Sequence, residues 1–236
     1  MNKAVLITGA TKGLGRETCL AFACAGYVVI GTYKSDSAAA EQLRSELQAE
    51  GATFNIIQTD AAEPSEELWK LPEIVNASSL VLINNACPGF NPEPMHRVLW
   101  SEVGKQLDIG LKGAWLASQA LIPLMARSKN GTIVNVLTTA VEGLPPKGFS
   151  AYVIGKHALR GMTLALASEF ASRGVRVFSV SPGFMDTSFT KAWDSRLRDA
   201  IASSDGRSSV PSAAAQRILQ LVESSTIQAN GEDHPI

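Results

Sequence analysis

Cysteine and histidine are scarce in this 236-residue sequence, with three of each. Cys19, Cys24 and Cys87 cannot all pair and form no Cys-x-x-Cys. That excludes a disulfide framework and reads as reduced thiols in a cytoplasmic protein. His96, His157 and His234 are scattered, so no metal-ligand spacing arises and no metal is expected. Neither sign of charge dominates: 21 Lys and Arg stand against 22 Asp and Glu, for a net charge of −1. Nucleic acid and anionic membrane surfaces are therefore not expected partners. No apolar run reaches the roughly 18 residues of a spanning helix. Met1-Asn2-Lys3-Ala4-Val5-Leu6-Ile7 leads straight into glycines, without the apolar core of a signal peptide.

What is present is enough apolar chain for one sizeable core, and residues 1–236 read as a single domain. Apolar, β-branched runs at 3–8, 27–32, 54–59, 80–84, 132–137 and 175–181 have the look of buried parallel strands. Helical patterns fall at 16–25, 37–51, 64–71, 100–125, 150–172 and 211–224, and 227–236 is a tail with room for one more strand. Strands alternating with helices imply an α/β, Rossmann-type, doubly wound parallel sheet of about seven strands with helices on both faces. Right-handed crossovers put all strand C-terminal ends on one edge, where the loops form a ligand crevice. The stretch 184–210 contains the polar run Ser203-Ser204-Asp205-Gly206-Arg207-Ser208-Ser209 and is expected to be a flap over that crevice.

Thr8-Gly9-Ala10-Thr11-Lys12-Gly13-Leu14-Gly15 lies between the first strand and first helix. Gly9 permits a tight turn, Gly13 lets backbone approach a phosphate, and Gly15 lets helix pack on strand. In such folds an acidic residue that ends the second strand binds the ribose 2′-hydroxyl. Here Thr32-Tyr33-Lys34 stands instead, and Lys12 sits in the glycine loop. Neutral and basic groups suit a 2′-phosphate, so NADP(H) is expected in preference to NAD(H), although Asp36 is close by.

Tyr152-Val153-Ile154-Gly155-Lys156 places a phenol and an ammonium on one helix face. The positive charge is expected to favour the phenolate and lower the Tyr152 pKa, making tyrosine a usable general acid.

Taken in order, these segments resemble the short-chain dehydrogenase/reductase family over nearly the whole chain. The matching runs are the glycine loop, Asn84-Asn85-Ala86-Cys87 (Cys in place of the family's Gly), Tyr152-x-x-x-Lys156 and Pro182-Gly183-Phe184-Met185-Asp186-Thr187. Within that family the nearest likeness is to 3-oxoacyl-acyl-carrier-protein reductases. The resemblance implies that Tyr152 protonates a carbonyl oxygen as hydride leaves the nicotinamide, and that Lys156 binds the nicotinamide ribose. It implies adenine contacts from Asp60 and Ala61 and ribose contacts from Asn84 and Ala86. Pro182, Gly183 and Thr187 would hold the carboxamide. The usual serine is replaced by Thr138 or Thr139, and counting from Asn135 favours Thr138. The helix asparagine that holds a proton-relay water is replaced by Gly110.

The function expected is an NADPH-dependent ketoreductase on a small carbonyl substrate, with a 3-oxoacyl thioester on acyl-carrier protein as one candidate. The alternative is an NADP-binding sensor or partner subunit with little catalysis. The helices 100–125 and 150–172 carry apolar residues on more than one face, among them Trp115, Leu159, Met162, Leu164 and Leu166; one face should cover the sheet, and the surplus suggests a homodimer or homotetramer.

Overall fold

The computed structural model describes residues 2–204, 209–224 and 230–236. Seven strands form one parallel sheet in the order β3-β2-β1-β4-β5-β6-β7. They are β1 (Lys3–Ile7), β2 (Val28–Tyr33), β3 (Phe54–Gln58), β4 (Ser79–Asn84), β5 (Gly131–Val136), β6 (Val175–Ser181) and β7 (Asn230–Pro235). β1, β2, β4, β5 and β6 are nearly continuous buried runs, because helices cover both faces of the sheet. The strand order reverses between β1 and β4, the switch point at which such sheets bind ligands.

One face carries α1 (Gly13–Cys24), α2 (Ser37–Ala49) and α9 (Pro211–Glu223), with a core that includes Phe22, Leu43, Leu47, Phe178 and Ile218. The other carries α7 (Ser150–Phe170) and the long helical unit after β4, around Leu82, Leu121, Met125, Ile133 and Leu159. Two short helices, α3 (Glu66–Trp69) and α4 (Pro72–Val75), replace the one expected at 64–71.

The long unit is not one α-helix. α5 (Trp100–Lys105) passes into a π-helical segment, Gln106–Lys112, and then into α6 (Gly113–Ser128). Gly110 lies inside the π turn, and a Cβ added there would meet nothing within 4 Å. Trp100–Ser128 is long and apolar enough to cross a membrane by length and composition. Its inner face nevertheless lies in the core, with Ala117 at 1 % and Leu121 and Met125 at 0 % exposure.

Of the expected flap, α8 (Ser195–Ser204) is helical, whereas Asp205, Gly206, Arg207 and Ser208 lie outside the described residues. Leu159, Met162 and Leu166 form the face of α7 that covers the sheet and are buried in the core. Trp100, Trp115, Ile154 and Leu164 are the large exposed apolar residues of these helices.

Candidate active site

The loops after β1, β4, β5 and β6 converge on a crevice of about 1280 Å³. That exceeds the ~300–1,000 Å³ of a single small-molecule site and has room for a dinucleotide and a second molecule.

Gly9, with φ +65°, and Gly13, with φ +50°, are left-handed, which the glycine loop requires. A Cβ on Gly15 would stand 2.2 Å from the Gly9 carbonyl oxygen, so only glycine lets α1 start so close to the turn. Lys12, the N-cap of α1, makes no side-chain capping bond, and Gly13 and Leu14 line the crevice. The unmet backbone N–H groups of this first turn form an anion cradle, and a pyrophosphate fits it.

Asn85, which sequence reading passed over, holds the loop in shape. Its Nδ2 donates to the carbonyls of Thr8 (2.9 Å) and Gly9 (3.0 Å). Thr8 Oγ1 in turn accepts from the N–H groups of Asn85 and Ala86. The doubled asparagine was the only sequence signal for this.

Asn84 is the corresponding correction. It does not line the crevice, where it was expected to meet a ribose. It is 3 % exposed, and its Nδ2 donates to Asn135 Oδ1 at 2.8 Å in the layer beneath the sheet. Asn135 passes the chain on to Thr163 of α7 at 2.8 Å. Ala86, by contrast, lines the crevice.

At the far end of the crevice Lys12 pairs with Asp36, and Lys34 Nζ lies 2.6 Å from Asp60 Oδ2. Each lysine holds its carboxyl below the ordinary range, and backbone N–H groups of Ala39 and Ala62 add to the effect. Thr32 is buried and contributes its carbonyl, which accepts from Ala10 N at 2.8 Å. The pleat turns its side chain inward. Thr11 is also buried. The Ala61 carbonyl packs so near α6 that a Cβ on Gly113 would be 2.8 Å away. Among the expected cofactor residues, Lys12 lines the crevice, while Thr11, Gly15, Thr32, Lys34, Asp60 and Ala61 stand outside its walls.

At the other end, α7 brings Tyr152 and Lys156 to the mouth of β5. Lys156 is 6 % exposed and its Nζ donates to the Val136 carbonyl at 2.7 Å. The same nitrogen stands 5.7 Å from the Tyr152 ring centroid. Thr138 hydrogen-bonds the Tyr152 phenol, and its Oγ1 accepts from Ala140 N at 3.3 Å. Thr139 lines the same crevice, and its backbone N–H donates to the Pro182 carbonyl at 3.1 Å.

The expected lowering of the Tyr152 pKa is corrected in this state. Burial pushes the phenol well above its ordinary value, the neighbouring Cys87 adds to that, and the Thr138 hydrogen bond opposes it. Lys156 acts instead on Cys87, lowering a thiol that burial has raised. The phenol is held protonated, as a proton donor must be.

Pro182, Gly183 and Thr187 also line the crevice. Thr187 reaches across it: its Cβ is 3.5 Å from where a Cβ on Gly13 would be. In the sequence Phe90, Phe149, Phe184 and Phe189 suggest an apolar pocket, and all four line the crevice near Tyr152. Trp193 was missed. It is 7 % exposed, and its Nε1 donates to the Phe90 carbonyl at 2.9 Å.

A parallel sheet with a glycine cradle at its switch point and a Thr/Tyr/Lys cluster in the same crevice defines a dinucleotide-dependent oxidoreductase. A model of the short chain dehydrogenase family matches residues 3–198, and the chain belongs to that family. The 3-oxoacyl-[acyl-carrier-protein] reductase FabG of Staphylococcus epidermidis is 35 % identical over 205 residues, 84 % of this chain and 82 % of its own. The Thermotoga maritima protein of the same name is 32 % identical over 243 residues, 98 % of this chain and 94 % of its own. Among solved structures, a Burkholderia cenocepacia short chain dehydrogenase in complex with NADP superposes with TM-score 0.85 at 25 % identity, covering 99 % of this chain and 96 % of its own. A Beutenbergia cavernae protein assigned as an NAD(P)-dependent gluconate 5-dehydrogenase, with NADP at low occupancy, gives 0.85 at 26 %, covering 99 % and 94 %.

Proposed function

We propose that the chain is an NADPH-dependent carbonyl reductase that acts on a ketone, with Tyr152 as the proton donor. The observation that carries this reading is the buried, protonated Tyr152 hydrogen-bonded to Thr138 with the Lys156 ammonium beside it. NADP(H) accords with the NADP-bound structural neighbours and the FabG relatives. When bound, the cofactor supplies the hydride, and the protein supplies position and the proton. Gly9, Gly13, Leu14 and Ala86 hold its phosphates and adenosine ribose, with Asp60 and Ala61 at the adenine. Lys12, with Lys34 beside the crevice, would face its 2′ phosphate, and Pro182, Gly183 and Thr187 would hold its carboxamide. Thr138 and Tyr152 hydrogen-bond the substrate carbonyl oxygen, where negative charge develops. Tyr152 then releases its proton to that oxygen. Lys156, fixed by Val136, holds the nicotinamide ribose hydroxyls and favours the phenolate that remains.

The FabG relatives make a 3-oxoacyl thioester on acyl-carrier protein the first substrate to try. The gluconate 5-dehydrogenase neighbour offers a sugar acid, but the aromatic walls around Tyr152 disfavour a polyol. We further infer that residues 1–236 act as one cytoplasmic unit that self-associates through the helix faces bearing Trp115, Ile154 and Leu164.

The test is oxidation of NADPH, and separately of NADH, by the purified protein with a short β-keto thioester. Consumption with NADPH well in excess of NADH is expected. Equal or greater consumption with NADH would overturn the cofactor assignment.

A further inference from the structure

We propose that the aromatic box over Tyr152 is a subsite for a planar apolar group attached to the substrate carbonyl, so that aryl or conjugated ketones are preferred to polyhydroxylated or non-planar ones. This rests on the carbonyl-reductase reading of the same site.

The box is made by Phe90, Phe149, Phe189 and Trp193. Phe90 lies almost parallel on the Tyr152 ring, with centroids 4.7 Å apart and planes at 14°. Phe149 presents its edge to both rings, at 5.0 Å from Phe90 and 6.0 Å from Tyr152. Trp193 backs the box at 5.2 Å from Phe90 and from Phe149. Any group bonded to a carbonyl that accepts from Tyr152 and Thr138 falls within reach of these rings. Edge-to-face and offset stacked contacts favour a flat π-system over an alkyl group of equal area. A hydroxylated chain placed there would lose its water without gaining partners. The charged residues of the crevice wall nearest this end, Glu102, Lys105, Glu142 and Lys147, come from α5 and the loop before α7.

The packing also says how entry occurs. Phe149 and Trp193 are buried, whereas Phe90 and Phe189 are half-buried. Phe90 and Phe189 stand 5.9 Å apart, less than the roughly 7 Å that a third ring between them would need at ordinary van der Waals contact. One of these two rings therefore swings aside as the substrate enters. The Phe90 ring is packed against Tyr152, Phe149 and Trp193 at 4.7, 5.0 and 5.2 Å, whereas Phe189 meets Phe90, Tyr152 and Trp193 only at 5.9, 6.0 and 6.0 Å, so Phe189 is the moving wall.

The experiment measures binding and turnover separately. Acetophenone, cyclohexyl methyl ketone and fructose are titrated by calorimetry into protein saturated with NADP⁺, which permits binding without reduction. The same three are then offered with NADPH. Acetophenone should bind at least about tenfold tighter than either of the others, the equivalent of one or two ring contacts. Phe90→Ala should bring the three within about threefold of one another. Phe189→Ala provides a second variant should the first fail to fold. Fructose or cyclohexyl methyl ketone binding as tightly as acetophenone would overturn the subsite. Selective acetophenone binding that Phe90→Ala abolishes, with no turnover of any ketone, would support the subsite and overturn the reductase reading.

Discussion

A phenol stripped of its water keeps its proton until something accepts it, and Tyr152 is in that condition before any substrate arrives. Its hydroxyl is hydrogen-bonded by Thr138, whose Oγ1 also accepts from the Ala140 N–H, and the same threonine hydroxyl would donate to a carbonyl oxygen bound beside Tyr152. Replacing Thr138 with Val removes one donor to the developing oxyanion and should lower kcat by about 10²-fold, while Thr138→Ser should stay within about tenfold. Steady-state kinetics on the two variants checks this; a Thr138→Ser loss as large as that of Thr138→Val would contradict a role carried by the hydroxyl. At the other end of the crevice Lys12 and Asp36 form an exposed pair, so the phosphate of NADPH must compete with a carboxylate. Asp36→Asn should tighten NADPH up to about fivefold, because an exposed ion pair is weak, and leave NADH nearly unchanged. Fluorescence titration of both cofactors reads the difference.

The elements that make the crevice differ in how plainly the sequence announces them. The strands were legible because burial on both faces leaves unbroken apolar runs, and β6 came out at 175–181 as expected. The pleat explains the reversal at Asn84: Leu80, Leu82 and Asn84 share the face toward α6 and α7, so the asparagine that looked like a cofactor contact points away from the crevice. Asn85, one residue on and past the strand end, does the holding. The π segment was not legible, because one extra residue in a turn leaves no mark in the apolar spacing. Gly110 lies in it with open space around its Cα. Gly110→Ala should therefore stabilise the fold by up to ~1 kcal/mol, read as a higher urea midpoint. Gly15→Ala should do the opposite, since its Cβ would collide with the Gly9 carbonyl: about 1–3 kcal/mol of stability and most NADPH affinity should go. The aromatic box was half legible. Its phenylalanines were visible as apolar walls, but Trp193 joins them only because α8 and the residues before it fold back onto the loop after β4.

At the scale of the whole molecule, several protons are held by burial. Tyr27 is pushed from 10.0 up to about 12, by burial first and by Glu223 second. Burial raises the Cys19 thiol and the Tyr152 phenol as well. In each case the folded state binds the proton more tightly than the unfolded chain. Stability from these groups is complete below the unfolded pKa and falls as pH rises through the alkaline range, for Tyr27 between about 10 and 12. Thermal melts at increasing pH should show this fall, and Tyr27→Phe should flatten it. The reading of the molecule as a reductase comes down to the one phenol at the end of the crevice. The most direct measurement pairs NADPH titration with ketone turnover for Tyr152→Phe. NADPH affinity within about threefold of the parent protein together with a kcat loss of about 10³-fold or more is the predicted result. A Tyr152→Phe protein that binds NADPH and turns over at the parent rate would contradict the account.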